Sequence, residues 1–108
     1  MRVIDFSNAP AVMRYRLSLL ADQDFDEIYT RGAELFGVDQ ADEYAAGLTR
    51  VFEFLASFPR AARERVEANP PVRAHPYKSH LIVYIIDNEE IVIVRIRHGH
   101  EDWLADPL

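Results

Sequence analysis

No cysteine occurs in the 108 residues, which excludes disulfides, thiolate metal sites and a thiol nucleophile, and suits a reducing compartment. No apolar run approaches the roughly 18 residues that a membrane span requires, and no basic segment followed by a hydrophobic one opens the chain. A cytoplasmic protein without membrane association is therefore expected. Lysine occurs once, as Lys78, and the formal net charge is −6, so a broad nucleic-acid surface built on counterion release is not expected. Neither a glycine-rich phosphate loop nor a Gly-x-Ser-x-Gly elbow is present, which removes support for nucleotide hydrolysis and serine-hydrolase chemistry. With only four glycines and 49% hydrophobic residues, the chain has the composition of a folded domain.

What the chain does contain is ordered by period. Residues 1–12 show no sustained periodicity and read as an N-terminal extension, which leaves 13–108 as a single domain. Tyr15, Leu17 and Leu19 alternate with Arg14, Arg16 and Ser18 as in a half-buried strand. Ser18 then offers an oxygen to the free amides of a helix whose first turns carry Asp22, Asp24 and Asp26. Ala21, Phe25, Ile28, Tyr29, Gly32 and Phe36 form the apolar face of that helix, and Gly37 ends it. A second helix is expected to begin at Asp39, with Asp42 as a weak capping-box partner. Its stripe is Ala41, Tyr44, Ala45, Leu48, Val51, Phe52 and Leu55, with Pro59 as the stop. So short a joint makes the two helices antiparallel.

The stretch from Ala61 to Pro71 is polar, basic and bounded by prolines, so it reads as a connector. A short strand from Val72 to Tyr77 follows, confined to an edge by Pro76. Two apolar strands come next, 79–86 and 90–96, joined by a polar turn at Asp87–Asn88. The order strand, helix, helix, three strands is that of an α+β domain, an antiparallel helical hairpin on one sheet that includes a three-stranded antiparallel meander. Strict alternation along the last strand puts Val92, Val94, Ile96 and His98 on a core face and Ile91, Ile93, Arg95 and Arg97 on the other. Strand 81–86 is apolar on both faces. The helices should cover one, and a partner, the N-terminal extension or the tail around Trp103 the other.

Charge is uneven. Residues 1–58 are acidic on balance, whereas the region from Arg60 to His80 carries Arg60, Arg63, Arg65, Arg73 and Lys78 against Glu64 and Glu67. That basic region is either an ordinary solvated surface or a partner-facing patch. Metal binding has weak support. His98 and His100 are two apart, with Glu101 or Asp102 nearby and His75 and His80 elsewhere, but no third ligand lies on a rigid element.

Several segments together resemble a known family. They are Tyr15-Arg16-Leu17-Ser18, Asp24-Phe25 and Ile28, Phe36-Gly37, Gln40-Ala41, Tyr44, Leu48, Phe52, Leu55-Ala56 and Pro59. Val72-Arg73, 79–84, 91–96 and His98-Gly99 complete the pattern. In order and spacing they resemble the ParE branch of the RelE/ParE toxin superfamily, over about Tyr15 to Asp102. The resemblance implies a RelE/ParE-like fold and the toxin half of a type II toxin–antitoxin pair. Such a toxin would act by binding DNA gyrase rather than by catalysis, would need no cofactor and would form a hetero-oligomer with a ParD-like antitoxin. The chain departs from the family pattern at Arg97, where an aliphatic residue is usual, and at His100-Glu101, where a basic residue is common.

On this reading Arg73, Arg95, Arg97, His98 and Trp103 are the candidate target contacts, since arginine and tryptophan combine contact area with directional polar groups. The alternative is structural: Arg95 pairs with a carboxylate inside the fold, His98 caps the sheet and Trp103 closes the core. Arg60, Arg63 and Arg65 are the candidate antitoxin contacts, alongside a groove beside the helical hairpin and an exposed strand edge. The competing activity is that of the RelE branch, an mRNA endoribonuclease. There Arg73 and Arg95 would stabilise phosphorane charge and His98 would move protons, but the lysine-rich surface suited to ribosome binding is missing.

Overall fold

A computed structural model describes residues 13–99. Its elements are β1 (Arg14–Leu17), α1 (Leu19–Phe36), α2 (Val38–Ser57), β2 (Glu64–Arg65), β3 (Val72–Tyr77), β4 (His80–Asp87) and β5 (Glu90–His98). One five-stranded sheet has the order β1-β5-β4-β3-β2, with β1 parallel to β5 and every other pair antiparallel. The fold is α+β, with the antiparallel helical hairpin laid on one face of the meander.

Local chemistry explains most of the boundaries. Ser18 caps α1, its Oγ accepting from the Ala21 amide at 3.1 Å and donating to the Val94 carbonyl at 2.8 Å. One hydroxyl thus starts a helix and ties it to β5. The helices meet at a single residue, Gly37, with φ 93° and ψ 160°, a conformation that only glycine takes without strain. Asp39 therefore sits inside the first turn of α2 instead of capping it, and Asp42 accepts from the Tyr29 hydroxyl. Pro76 lies on β3 opposite Leu81, beyond the two residues that β2 pairs, so its missing N–H costs no ladder bond.

Between the helices and the sheet lies the main core: Ala21, Leu48, Phe52, Leu55, Ile82, Tyr84, Ile91, Ile93 and Ile96. Each large side chain there contributes about 1.5–3 kcal/mol by leaving water. Tyr84 is fully buried, donates its hydroxyl to the Pro59 carbonyl at 2.8 Å and receives the Ala62 amide, which holds the start of the connector down. The second sheet face carries a smaller cluster of Ala68, Val72 and Val83, flanked by Ala74, Leu81, Ile85 and Val94. The connector thus supplies part of the cover for this face through Ala68.

The faces of β5 are not those that strict alternation predicts. Tyr84 pairs with Ile93 but Val83 with Arg95, so Val94 is an extra residue, a β-bulge. Before it Ile91 and Ile93 point to the helices, after it Ile96 does, and Val94 belongs to the second face. A single inserted residue shifts the period-two pattern, which is why Val92 and Val94 are not core residues beneath the helices. The last turn of α1 departs as well: Phe36 and Leu35 are 64% and 60% exposed.

Candidate functional site

Three elements converge beside the β3–β4 turn. Tyr77 pairs with His80, which leaves a two-residue turn in which Lys78 adopts φ 51°, a left-handed conformation uncommon for lysine. Its ammonium stands 5.6 Å from the ring centre of Tyr44 and 5.5 Å from that of Tyr77, within cation–π range of both. Tyr44, projecting from α2, meets Tyr77 edge-on at 5.2 Å between ring centres. Its hydroxyl lies 2.7 Å from His80 Nδ1. His80 and His98 are direct cross-strand partners with ring centres 5.2 Å apart. Tyr77 reaches this position because residue 47 is glycine; a Cβ there would lie 1.8 Å from the Tyr77 hydroxyl.

Tyr44, His80 and His98 of this cluster line a groove of about 550 Å³ between the helical hairpin and the end of the sheet. Phe25, Ile28, Leu35, Phe36 and Leu48 make much of its apolar lining, with His80 and His98 among the groups on the sheet side. Its size and apolar lining suit an inserted apolar side chain or a short amphipathic segment. Among the described residues no group of three histidine, aspartate or glutamate side chains is placed to hold a metal ion.

The sequence-predicted target contacts are dispersed. Arg73 on β3 donates to the Ala62 carbonyl at 2.6 Å and so anchors the connector. Arg95 stands opposite Val83 in the ladder, yet its guanidinium reaches α1, where Nε and Nη2 donate to the two oxygens of Asp24 at 2.8 and 3.0 Å. The same carboxylate accepts the Ile96 amide at 2.9 Å, finishing the edge of β5 beyond the last β1 pair. Arg97 lies opposite Leu81 and therefore on the second face, away from His98. Trp103 lies outside the described residues. The structure thus brings Arg95 and His98 to one groove, places Arg73 beneath the connector and turns Arg97 the other way.

The basic connector is partly neutralised within itself. Glu67 accepts from Arg65 Nε at 2.6 Å and stands 3.7 Å from Arg63 Nη2. The Arg65 hydrogen bond is the largest of the influences that hold the Glu67 carboxyl below its usual range. Arg60 is exposed beside Phe54 and Phe58, whose rings pair at 5.3 Å. The sequence marks Tyr44 as a helix-stripe residue, Lys78 as part of the basic region and His80 as an isolated histidine, but nothing in it joins them with Tyr77 into one cluster. Its one legible sign is the polar tip that Tyr44 and Tyr77 add to otherwise apolar positions.

Comparison with known proteins agrees with this architecture. A family model described as the ParE toxin of the type II toxin–antitoxin system, parDE, matches residues 15–103. The chain is 32% identical over 82 residues to Toxin ParE3 of Caulobacter vibrioides, covering 76% of this chain and 82% of that protein. It is likewise 32% identical over 90 residues to Toxin ParE1 of Mycobacterium tuberculosis, covering 82% and 92%. A solved structure titled as the chromosomal ParDE TA system from P. aeruginosa shares the fold. Its TM-score is 0.71 at 21% identity, over 82% of this chain and 97% of that one.

Proposed function

This chain belongs to the ParE toxin family of type II toxin–antitoxin systems, and on that premise we propose that it arrests growth in the cytoplasm by binding DNA gyrase. A ParD-like antitoxin neutralises it by occupying its surface. The activity is stoichiometric inhibition, with no substrate turned over and no cofactor required.

The observation that carries the non-enzymatic reading is the employment of Arg73 and Arg95. Cutting RNA through its 2′-hydroxyl needs cations aimed at a developing phosphorane, and these two arginines are held by the Ala62 carbonyl and the Asp24 carboxylate. The antitoxin reading draws on the groove, whose apolar rim at Leu35 and Phe36 is water-exposed in the lone chain. An amphipathic segment laying its apolar side there would cover both. Because the toxin is acidic overall, apolar burial should outweigh net charge attraction in that complex.

The decisive experiment assays the released protein in gyrase supercoiling and, in parallel, in cleavage of messenger RNA on ribosomes. Loss of supercoiling with intact RNA is expected. RNA cleavage with unaffected gyrase would replace this reading with the endoribonuclease one.

A further inference from the structure

The last turns of α2 carry two aromatic side chains that the fold leaves in water. Phe54 and Phe58, one helical turn apart, are 43% and 60% exposed, and their rings pair at 5.3 Å between centres. Neither belongs to the main core, whose share of α2 is Leu48, Phe52 and Leu55. Phe54 also meets His75 at 5.7 Å, and β3 at that point is the edge of the sheet, because β2 pairs only with Val72 and Arg73. The patch thus runs from the flank of the helix onto the sheet edge. Beside it Phe54, Phe58 and Arg60 line a shallow hollow of about 480 Å³.

Cations frame this patch. Arg50 is exposed one turn before Phe54, and Arg60 follows Phe58 by two residues. Arg63 and Arg65 share Glu67, and Arg95 has Asp24, whereas Arg50 and Arg60 have no ion-pair partner among the described residues, even with Glu53 on the same stretch of α2. From this arrangement we propose that the outer flank of α2 is the surface by which the toxin grips its target, and that it takes a segment of the target protein in which a large apolar side chain is flanked by carboxylates. This rests on the reading of the chain as a toxin that acts by binding, and adds to it the place and chemistry of the contact.

Charge complementarity selects this occupant. With a net charge of −6, most of the surface repels an acidic segment, while two uncompensated guanidinium groups draw it to this flank. Paired phenylalanines beside arginines then provide the aromatic and cationic anchors on which interface energy concentrates. The groove differs in kind. It is concave, includes Asp24 and Glu27 in its lining and lies toward the other end of α2, a 20-residue helix about 30 Å long. A second copy docked through the same patch would bring the arginines of both copies into one contact, where like charges oppose each other. Two arginines would also release too few counterions to hold a nucleic acid against the acidic remainder of the chain. Arg60 belongs both to this flank and to the connector, so an antitoxin that reaches the connector competes with the target at Arg60.

The test measures gyrase supercoiling, growth arrest and antitoxin affinity for the same full-length variants. Phe58→Ser and Arg50→Glu alter exposed side chains and should keep the urea midpoint and bind the antitoxin within twofold of the parent protein. Each should raise the toxin concentration for half-inhibition of gyrase at least tenfold and abolish growth arrest. A second measurement keeps both anchors in place. The chain has no cysteine, so Ser57→Cys puts a single thiol in the lining of the hollow, and gyrase should slow its reaction with a maleimide about tenfold. Inhibition and arrest retained by both variants, or labelling that gyrase does not slow, would overturn the patch and leave the gyrase reading intact. If the parent protein arrests growth without touching gyrase, that reading falls instead; loss of arrest in both variants would then uphold the patch for another target, and retained arrest would overturn it. The proposal is also overturned by an equal loss of antitoxin affinity, by a dimer that Phe58→Ser dissociates, by single-stranded RNA binding that Phe58→Ser removes, or by a Ser57→Cys thiol already protected in the lone chain.

Discussion

Replacing Asp24 by alanine isolates the contact that decides what Arg95 is for. The Asp24 carboxylate accepts three hydrogen bonds, two from Arg95 and one from the Ile96 amide, at 2.8, 3.0 and 2.9 Å. Side-chain exposures of 21% for Arg95 and 12% for Asp24 put the pair in a poorly screened site. Hydrogen bonds to a charged group contribute about 1.5–3 kcal/mol, and stranding one member of a buried pair costs about 3–5. Partial access to water lowers that figure, so Asp24→Ala should cost about 2–4 kcal/mol. With a urea m-value of about 1.5 kcal/mol/M for a small domain, the unfolding midpoint should fall by about 2 M. Arg95→Ala should cost a similar amount, and the double variant little more than either, because the second deletion removes a charge already left without its partner. The assay is a double-mutant cycle by urea titration, followed by far-UV circular dichroism. Additive effects, or single losses below about 0.5 kcal/mol, would refute a structural role for the pair. Should Arg95→Ala abolish growth arrest at unchanged stability, Arg95 would be a target contact after all.

Four further outcomes are expected. Burial, as the largest influence, raises the Tyr84 phenol above its ordinary value of 10.0. Above pH 10.0 the unfolded chain releases that proton first, so stability should decline as pH climbs toward the folded-state value. Tyr84→Phe should weaken that alkaline decline in urea titrations and cost about 1 kcal/mol at neutral pH through the lost bond to Pro59. Gly47→Ala should destabilise by about 1–3 kcal/mol in thermal unfolding by displacing Tyr77, and Tyr77→Leu should recover part of the loss. Leu35→Asp and Phe36→Asp, at exposed positions, should leave the unfolding free energy from urea titration within about 0.5 kcal/mol yet weaken antitoxin affinity in calorimetry at least tenfold; undiminished affinity would remove the groove from the interface. Charge reversal of Arg60, Arg63 and Arg65 together should weaken antitoxin binding at low salt, and an unchanged affinity would count against the connector as a contact surface.

Legibility in the sequence followed the range of the interaction. The Ser18 cap and the helix stop at Gly37 depend on neighbours within a few residues, and both are readable from residue type alone. The meander was equally visible, because β3, β4 and β5 follow one another through two-residue turns. Pairing of β1 with β5 joins residues more than seventy positions apart, and no local pattern encodes it. The faces of β5 were misassigned for a definite reason. Alternation is counted residue by residue, and an inserted Val94 leaves the apolar composition unchanged while reversing the phase. For the candidate site, the arginines were conspicuous as residue types, but their partners Asp24 and Ala62 lie on other elements. Their roles emerge only once those elements meet. The Tyr44–His80 contact is hidden likewise, since it requires the β3–β4 turn to come to rest against α2.

Gly37 limits how this molecule can vary. With one residue as the whole joint, an insertion or deletion there would rotate α2 by about 100° about its own axis. Ala41, Tyr44 and Leu48 would swing out of line with the strands together, and the cleft they border would vanish along with the core. The width and chirality of the cleft are therefore set at a single hinge-free corner, and a ligand shaped to it faces a mould that cannot be reset in small steps.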